Sequence, residues 1–165
     1  MAGFDKYLKG ALARADQEAR LDGSTTVEAQ HLLLAIAADA GTPAAGALES
    51  VGLDRAAIRA ALDREFADSL GAVGVSASAF DVPPVTPDPK RQARLGASVQ
   101  LALDRAVKAA RGAELQPAHL LVGIVQADVG TVPRALAIAG VERAELMTLI
   151  QQTVTGQPNA EGETT

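Results

Sequence analysis

His31-Leu32-Leu33-Leu34-Ala35-Ile36 and His119-Leu120-Leu121-Val122-Gly123-Ile124 are the two stretches on which the fold of this chain turns. They lie 88 positions apart, and the same offset carries Ala47-Leu48 onto Ala135-Leu136, Gly52 onto Gly140 and Asp16 onto Asp104. Gly41-Thr42-Pro43 has a counterpart in Gly130-Thr131-Val132-Pro133. Self-similarity at a fixed period marks a repeat architecture, in which one unit buries its apolar face against the next. Each half reads as a long helix, an apolar helix, a short helix and an amphipathic helix. The expectation is an all-α fold of eight helices, in two four-helix units related by a pseudo-twofold axis. The seam between the units is the natural place for a ligand.

Periodicity supplies the helices. Phe4, Tyr7, Leu8, Ala11, Leu12, Ala15 and Ala19 recur at helical spacing and share one face. Asp22-Gly23 stops that helix, because glycine readily takes the left-handed conformation of a helix end. Thr25-Thr26-Val27-Glu28 then predicts a capping box, with Thr25 as the cap and Glu28 reaching back, opening the helix through His31 and Ile36. Gly41-Thr42-Pro43 reads as a turn, a cap and a proline at the first helical position, where its missing N–H is harmless. Gly52 ends the third helix. Asp54 caps a fourth, with Ile58, Leu62 and Phe66 on one face.

The pattern breaks between Gly71 and Pro89, where Pro83, Pro84, Pro87 and Pro89 exclude a helix. Residues 1–70 are therefore read as the first repeat, 71–90 as a proline-rich linker and 91–153 as the second repeat. Its first helix is expected from about Gln92, following Leu95, Val99, Leu103, Ala106 and Ala110 to Arg111-Gly112. Residues 154–165 are polar and aperiodic, and are expected to form a disordered tail. The start, MAGFDKYLKG, has no apolar run of signal-peptide length, and no stretch approaches the ~18 apolar residues of a membrane span. A cytoplasmic protein without a membrane partner is expected.

Composition narrows the function. The chain is 48% hydrophobic but only 2% aromatic, so its interior must be aliphatic and rich in alanine, which suits closely packed helices. Fifteen basic residues against 20 acidic ones, a net charge of −5, argue against nucleic acid. The local cluster Lys90, Arg91 and Arg94 reads as a solvated face. With no cysteine there is no disulfide, thiolate metal site or cysteine nucleophile.

Catalytic candidates are few. His31 and His119 are the only histidines, and a metal would need further ligands. The positions three and four residues onward hold Leu34, Ala35, Val122 and Gly123, so no local carboxylate is offered. Their repeat equivalence suits a structural role, an imidazole bonded to backbone at a helix start. Acid–base chemistry needs two converging carboxylates. Asp16 and Asp104 are the repeat-related pair, read as solvated helix-face residues. Ser24, Ser50 and Ser98 have no G-x-S-x-G elbow, and no G-x-x-x-x-G-K-[ST] phosphate loop occurs. The chain is expected to be no enzyme and to need no cofactor or metal. An enzyme on a helical scaffold, working through Asp16 and Asp104, is the remote alternative.

Four segments carry a family likeness: Gln17-Glu18-Ala19-Arg20, Gln30 through Ile36, Ala47-Leu48-Glu49-Ser50-Val51-Gly52-Leu53, and Ala118 through Ile124. Over residues 4 to about 152 the chain resembles the Clp N-terminal domain, the double helical repeat at the front of Hsp100/Clp unfoldases. It is most like the ClpC branch, here without the ATPase ring. The resemblance implies a module that recruits substrates and adaptor proteins. In some ClpC-type members the domain recognises phosphorylated arginine, and cyclic peptide antibiotics bind it. In the phosphoarginine-binding members a glutamate in each Thr-Glu-His pattern pairs with the guanidinium, and here those positions are Gln30 and Ala118. A charge-assisted bond is roughly twice as strong as a neutral one, so that mode of recognition is expected to be badly weakened. What the resemblance implies is binding of peptides, adaptors or substrate proteins and modulation of a ClpC-type protease. Leu12, Asp16, Gln30, Asp104 and Ala118 are the candidate peptide-binding residues. A second reading is a decoy or immunity protein that sequesters cyclic peptide antibiotics.

Overall fold

The computed structural model describes residues 2–76 and 93–156. Residues 77–90 of the expected linker and 157–165 of the expected tail lie outside the described residues. Eight helices are present among the described residues: α1 (Ala2–Leu21), α2 (Ala29–Ala38), α3 (Pro43–Ser50), α4 (Arg55–Ala72), α5 (Ala97–Ala110), α6 (Pro117–Val125), α7 (Thr131–Ile138) and α8 (Arg143–Thr155). Two two-residue strands, β1 (Thr26–Val27) and β2 (Arg94–Leu95), pair in parallel. Helix α4 runs two residues into the stretch read as linker.

The two units share helices rather than merely touching. Helix α1 packs on α2 and α5 on α6, but α4 packs on α7 and α8 on α3. The last helix of each unit thus covers the third helix of the other, which is how the pseudo-twofold axis closes one core. Helices α2 and α6 lie at its centre, with His31 to Ala37 and Ala118 to Val125 all buried. A helix apolar on every side is stable only when surrounded in this way. Thr42 caps α3, its hydroxyl accepting from the Ala45 N–H at 3.2 Å, and Asp54 caps α4 by accepting from the Ala57 N–H at 2.8 Å.

Helix α2 starts differently from the sequence expectation. Thr25 is not its cap, because the backbone there is extended and bonded to the other repeat: Arg94 N–H donates to Thr25 O at 3.1 Å and Gly96 N–H to Val27 O at 2.9 Å. The cap is Glu28. Its carboxylate accepts from the His31 N–H, while His31 Nδ1 accepts from the Glu28 N–H at 3.0 Å. Gln116 and His119 reproduce this box at α6, again at 3.0 Å. The same strand pairing delays α5, which starts at Ala97 rather than near Gln92.

Glu28 also clasps the seam. Its carboxylate accepts from the Ser98 hydroxyl and, at 2.9 Å, from Thr26 Oγ1, and Ser98 Oγ accepts from the Ala29 N–H at 2.8 Å. A Cβ at Gly96 would overlap that carboxylate, so the position must be glycine for the clasp to seat. Asp16 adds a second tie, accepting from the Ala93 N–H at 3.0 Å and pairing with Arg20 at 2.8 Å.

On α4, Ile58 and Leu62 are buried as expected from their spacing, but Phe66 is 61% exposed. The buried residue of that turn is Glu65, whose carboxylate accepts from Arg134 Nε of α7 and from the Ser69 hydroxyl, at 2.8 and 2.7 Å. The ion pair with α7 rotates the contact by one residue and leaves the ring outside.

Candidate functional site

Two adjoining cavities cross the seam. One, of about 310 Å³, is lined by Asp22, Gln30, His31, Arg59, Phe66 and Thr131 among others. The other, of about 410 Å³, lies between α5, α6 and the turn into α7, against Gln30, Leu101, Arg105, Ile124, Val129 and Thr131. Gln30 and Thr131 belong to both, so the cavities form one groove. Three apolar side chains stand on its rim in solvent: Phe66, Leu101 at 52% and Val129 at 86% exposure. The side chains of Gln30, Arg105 and Thr131 have no hydrogen-bond or ion-pair partner among the described residues. Free polar groups between exposed apolar ones are the usual make-up of a binding cleft.

The floor of the first cavity is a charge network joining α1, α2 and α4. Arg55 Nε donates to Glu18 Oε1 at 2.7 Å, and Arg59 reaches Glu18 and Asp22 at 2.9 and 2.8 Å. His31 Nδ1 already accepts a backbone N–H, so the ring proton sits on Nε2 and is donated to Asp22 Oδ2 at 2.9 Å. That carboxylate comes from nine residues upstream, out of reach of a search along one helix. Burial pushes the Asp22 carboxyl up, but the His31 hydrogen bond and the Arg59 charge outweigh it and hold it below its ordinary 3.8. Burial likewise opposes the ionised Glu65, and the bonds from Arg134 and Ser69 overcome it, leaving it below 4.5.

Among the described residues the second repeat has no such network. At an offset of 88, Glu18, Asp22 and Arg59 become Ala106, Ala110 and Met147. Burial therefore acts on His119 uncompensated and holds it below its ordinary 6.5. All three of these groups bind a proton less readily when folded than when unfolded, so stability rises with pH. It should be complete above 6.5, fall as pH drops from there through the folded value of His119, and fall again below 4.5 and 3.8 as Glu65 and Asp22 protonate. Urea midpoints measured at about pH 7.5, 5.5 and 3.5 should descend in that order; a flat profile would contradict the assignment.

The sequence candidates are distributed as follows. Gln30 lies in the first turn of α2 and faces the groove. Ala118 is buried and lines a separate cavity of about 310 Å³ with Gly3, Phe4, Pro43, Gln116 and Pro117. The two positions are thus repeat-equivalent but not convergent. Leu12 is half-buried against the core. Asp104, exposed, pairs with Lys108 at 2.6 Å, and neither it nor Asp16 lines the groove. Sequence reasoning passed over Phe66, Leu101, Arg105, Val129 and Thr131. Leu101 carried a signal, an apolar residue on the face opposite the Val99, Ala102, Ala106 stripe. Among the described residues no cluster of three metal-ligating side chains occurs, and no single helix is long and apolar enough to cross a membrane.

Residues 3–114 match the Clp repeat (R) N-terminal domain. The chain belongs to that family, whose domain is a non-catalytic interaction module of chaperones. The fold is similar to that of the N-terminal domain of ClpD, a caseinolytic protease associated chaperone from Arabidopsis thaliana. The TM-score is 0.62 and the identity 21%, over 89% of this chain and 91% of that one. A chain from structural work on a malarial protein secretion system is also similar, with a TM-score of 0.60 and 16% identity over 90% and 92%. No curated protein matches the sequence.

Proposed function

We propose that this chain is a non-enzymatic recognition module that binds peptide segments of adaptors or substrate proteins and so modulates a ClpC-type ATP-dependent protease in the cytoplasm. The observation that carries this reading is the groove across the repeat seam, rimmed by Phe66, Leu101 and Val129 with the unpaired side chains of Gln30, Arg105 and Thr131 between them, in a chain of the Clp repeat family. The ClpD domain of the same fold belongs to a chaperone associated with a caseinolytic protease, which supports a partner of that kind. A groove already held open by the clasped seam spares a ligand the ordering cost of forming its own site. Gln30 and Ala118 offer no carboxylate to a guanidinium, so phosphoarginine is not the ligand proposed.

The test is a reconstituted ClpC-type protease degrading fluorescent unfolded casein. Saturating amounts of this chain should change the degradation rate, and the immobilised chain should retain the unfoldase, its adaptor or the unfolded client. An unchanged rate together with no retention of any of the three would overturn the reading.

A further inference from the structure

We infer that the cavity between α5, α6 and the turn into α7 is a subsite for an apolar peptide segment bearing an acidic side chain, with Arg105 reading the carboxylate. The inference rests on the peptide-binding reading above and adds the chemistry of the ligand. Half-buried arginines elsewhere in the described residues each hold a carboxylate: Arg14 with Asp39, Arg20 with Asp16, Arg59 with Asp22 and Arg143 with Asp128. Arg105 is half-buried too, yet has no such partner among the described residues. Its guanidinium lines the cavity, keeps contact with solvent and holds no carboxylate of the described residues, so it is open to an anion from a ligand, and its planar fork suits two carboxylate oxygens at once.

The acids nearest the cavity are already engaged. Asp128 accepts from Arg143 at 2.7 Å, and the Glu28 carboxylate is held by Ser98 and Thr26. Neither acid is free to pair with Arg105, so a carboxylate on it would be the ligand's. The walls specify the rest of it. Leu101 and Val129 stand exposed at the mouth, and Ile124 and Val132 are buried at the base, so apolar side chains gain by covering them. Gln30 and Thr131 offer free donors and acceptors to an extended backbone. A cavity of about 410 Å³ holds a few side chains.

The chain has no tryptophan, so indole fluorescence reports a peptide directly. The probes are the capped hexapeptide Ala-Leu-Trp-Glu-Leu-Ala and its versions with Gln or Lys in place of Glu. The Glu peptide should bind tightest, the Gln peptide roughly tenfold weaker and the Lys peptide weaker still. Arg105→Gln should abolish the preference and Arg105→Glu should reverse it toward Lys, both without moving the melting temperature. Leu101→Ser should weaken all three peptides alike. If the Gln or Lys peptide binds as well as the Glu peptide, or if Arg105→Gln leaves the preference intact, the subsite is overturned while peptide binding stands. If none of the three binds the folded chain, both readings fall.

Discussion

Gly123→Ala is expected to destabilise the fold by about 3 kcal/mol or more, at the upper end of what overpacking a core usually does. In a helix interior the same change normally helps, by about 0.5–1 kcal/mol, because alanine restricts the unfolded chain and favours the helix. Here the new Cβ would overlap the Ala102 carbonyl oxygen and lie 3.1 Å from the Ala106 nitrogen. Those are backbone atoms of α5, which cannot rotate away, so α6 would have to lift off the helix it packs on most. The clash wins over propensity. The repeat-equivalent residue is Ala35 of α2, fully buried, and Ala35→Gly should cost only about 1–2 kcal/mol through propensity and a small void. Urea unfolding of both variants gives the comparison. A Gly123→Ala chain as stable as the parent would show that α5 and α6 do not approach this closely.

The second large effect concerns the buried charges of the first repeat. Arg59→Met should lose about 2–3 kcal/mol, since it strips a partner from both Glu18, which is 6% exposed, and Asp22. Making Glu18→Ala and Asp22→Ala in the same chain should recover most of that loss. The triple variant installs the set the second repeat already uses, Ala106, Ala110 and Met147. Replacing a whole buried ionic set with apolar residues is often neutral, whereas breaking it is not. Arg55 would be released into solvent, where it is already 44% exposed, and His31 would resemble His119. The signature is strong non-additivity in thermal unfolding. A triple variant at least as unstable as the sum of the singles would show that the network holds α1 to α4 by itself.

Much of this was legible in the chain. The 88-residue offset announced two units, and helical spacing in α1 selected Phe4, Ala11, Ala15 and Ala19 for the core, all buried. Thr42 and Asp54 were readable as caps because each bonds a backbone N–H only three residues on. The start of α2 was not. Thr25 and Glu28 satisfy a local capping pattern, but the backbone before the helix is bonded to residues nearly 70 positions away. No local rule weighs that competition. The true box, Glu28 with His31 and Gln116 with His119, shows in the alignment of the repeats once histidine is allowed as the returning group.

The groove was hidden for a related reason. Gln30 stood out because it replaces a family residue, whereas Arg105 looks like any helix arginine until its neighbours are seen to be taken. Phe66 was placed inside by its spacing from Ile58 and Leu62, and a pair between Glu65 and Arg134, 69 residues apart, turned it out.

From its sequence alone this chain could be read as helical and doubled, since periodicity and repeat offset are properties of neighbours along the backbone. Where the units exchange helices, which carboxylates are neutralised and which half-buried arginine is left without a carboxylate were decided in three dimensions. Those outcomes depend on competition for partners between segments far apart in the chain, and the winner is known only when the helices are packed.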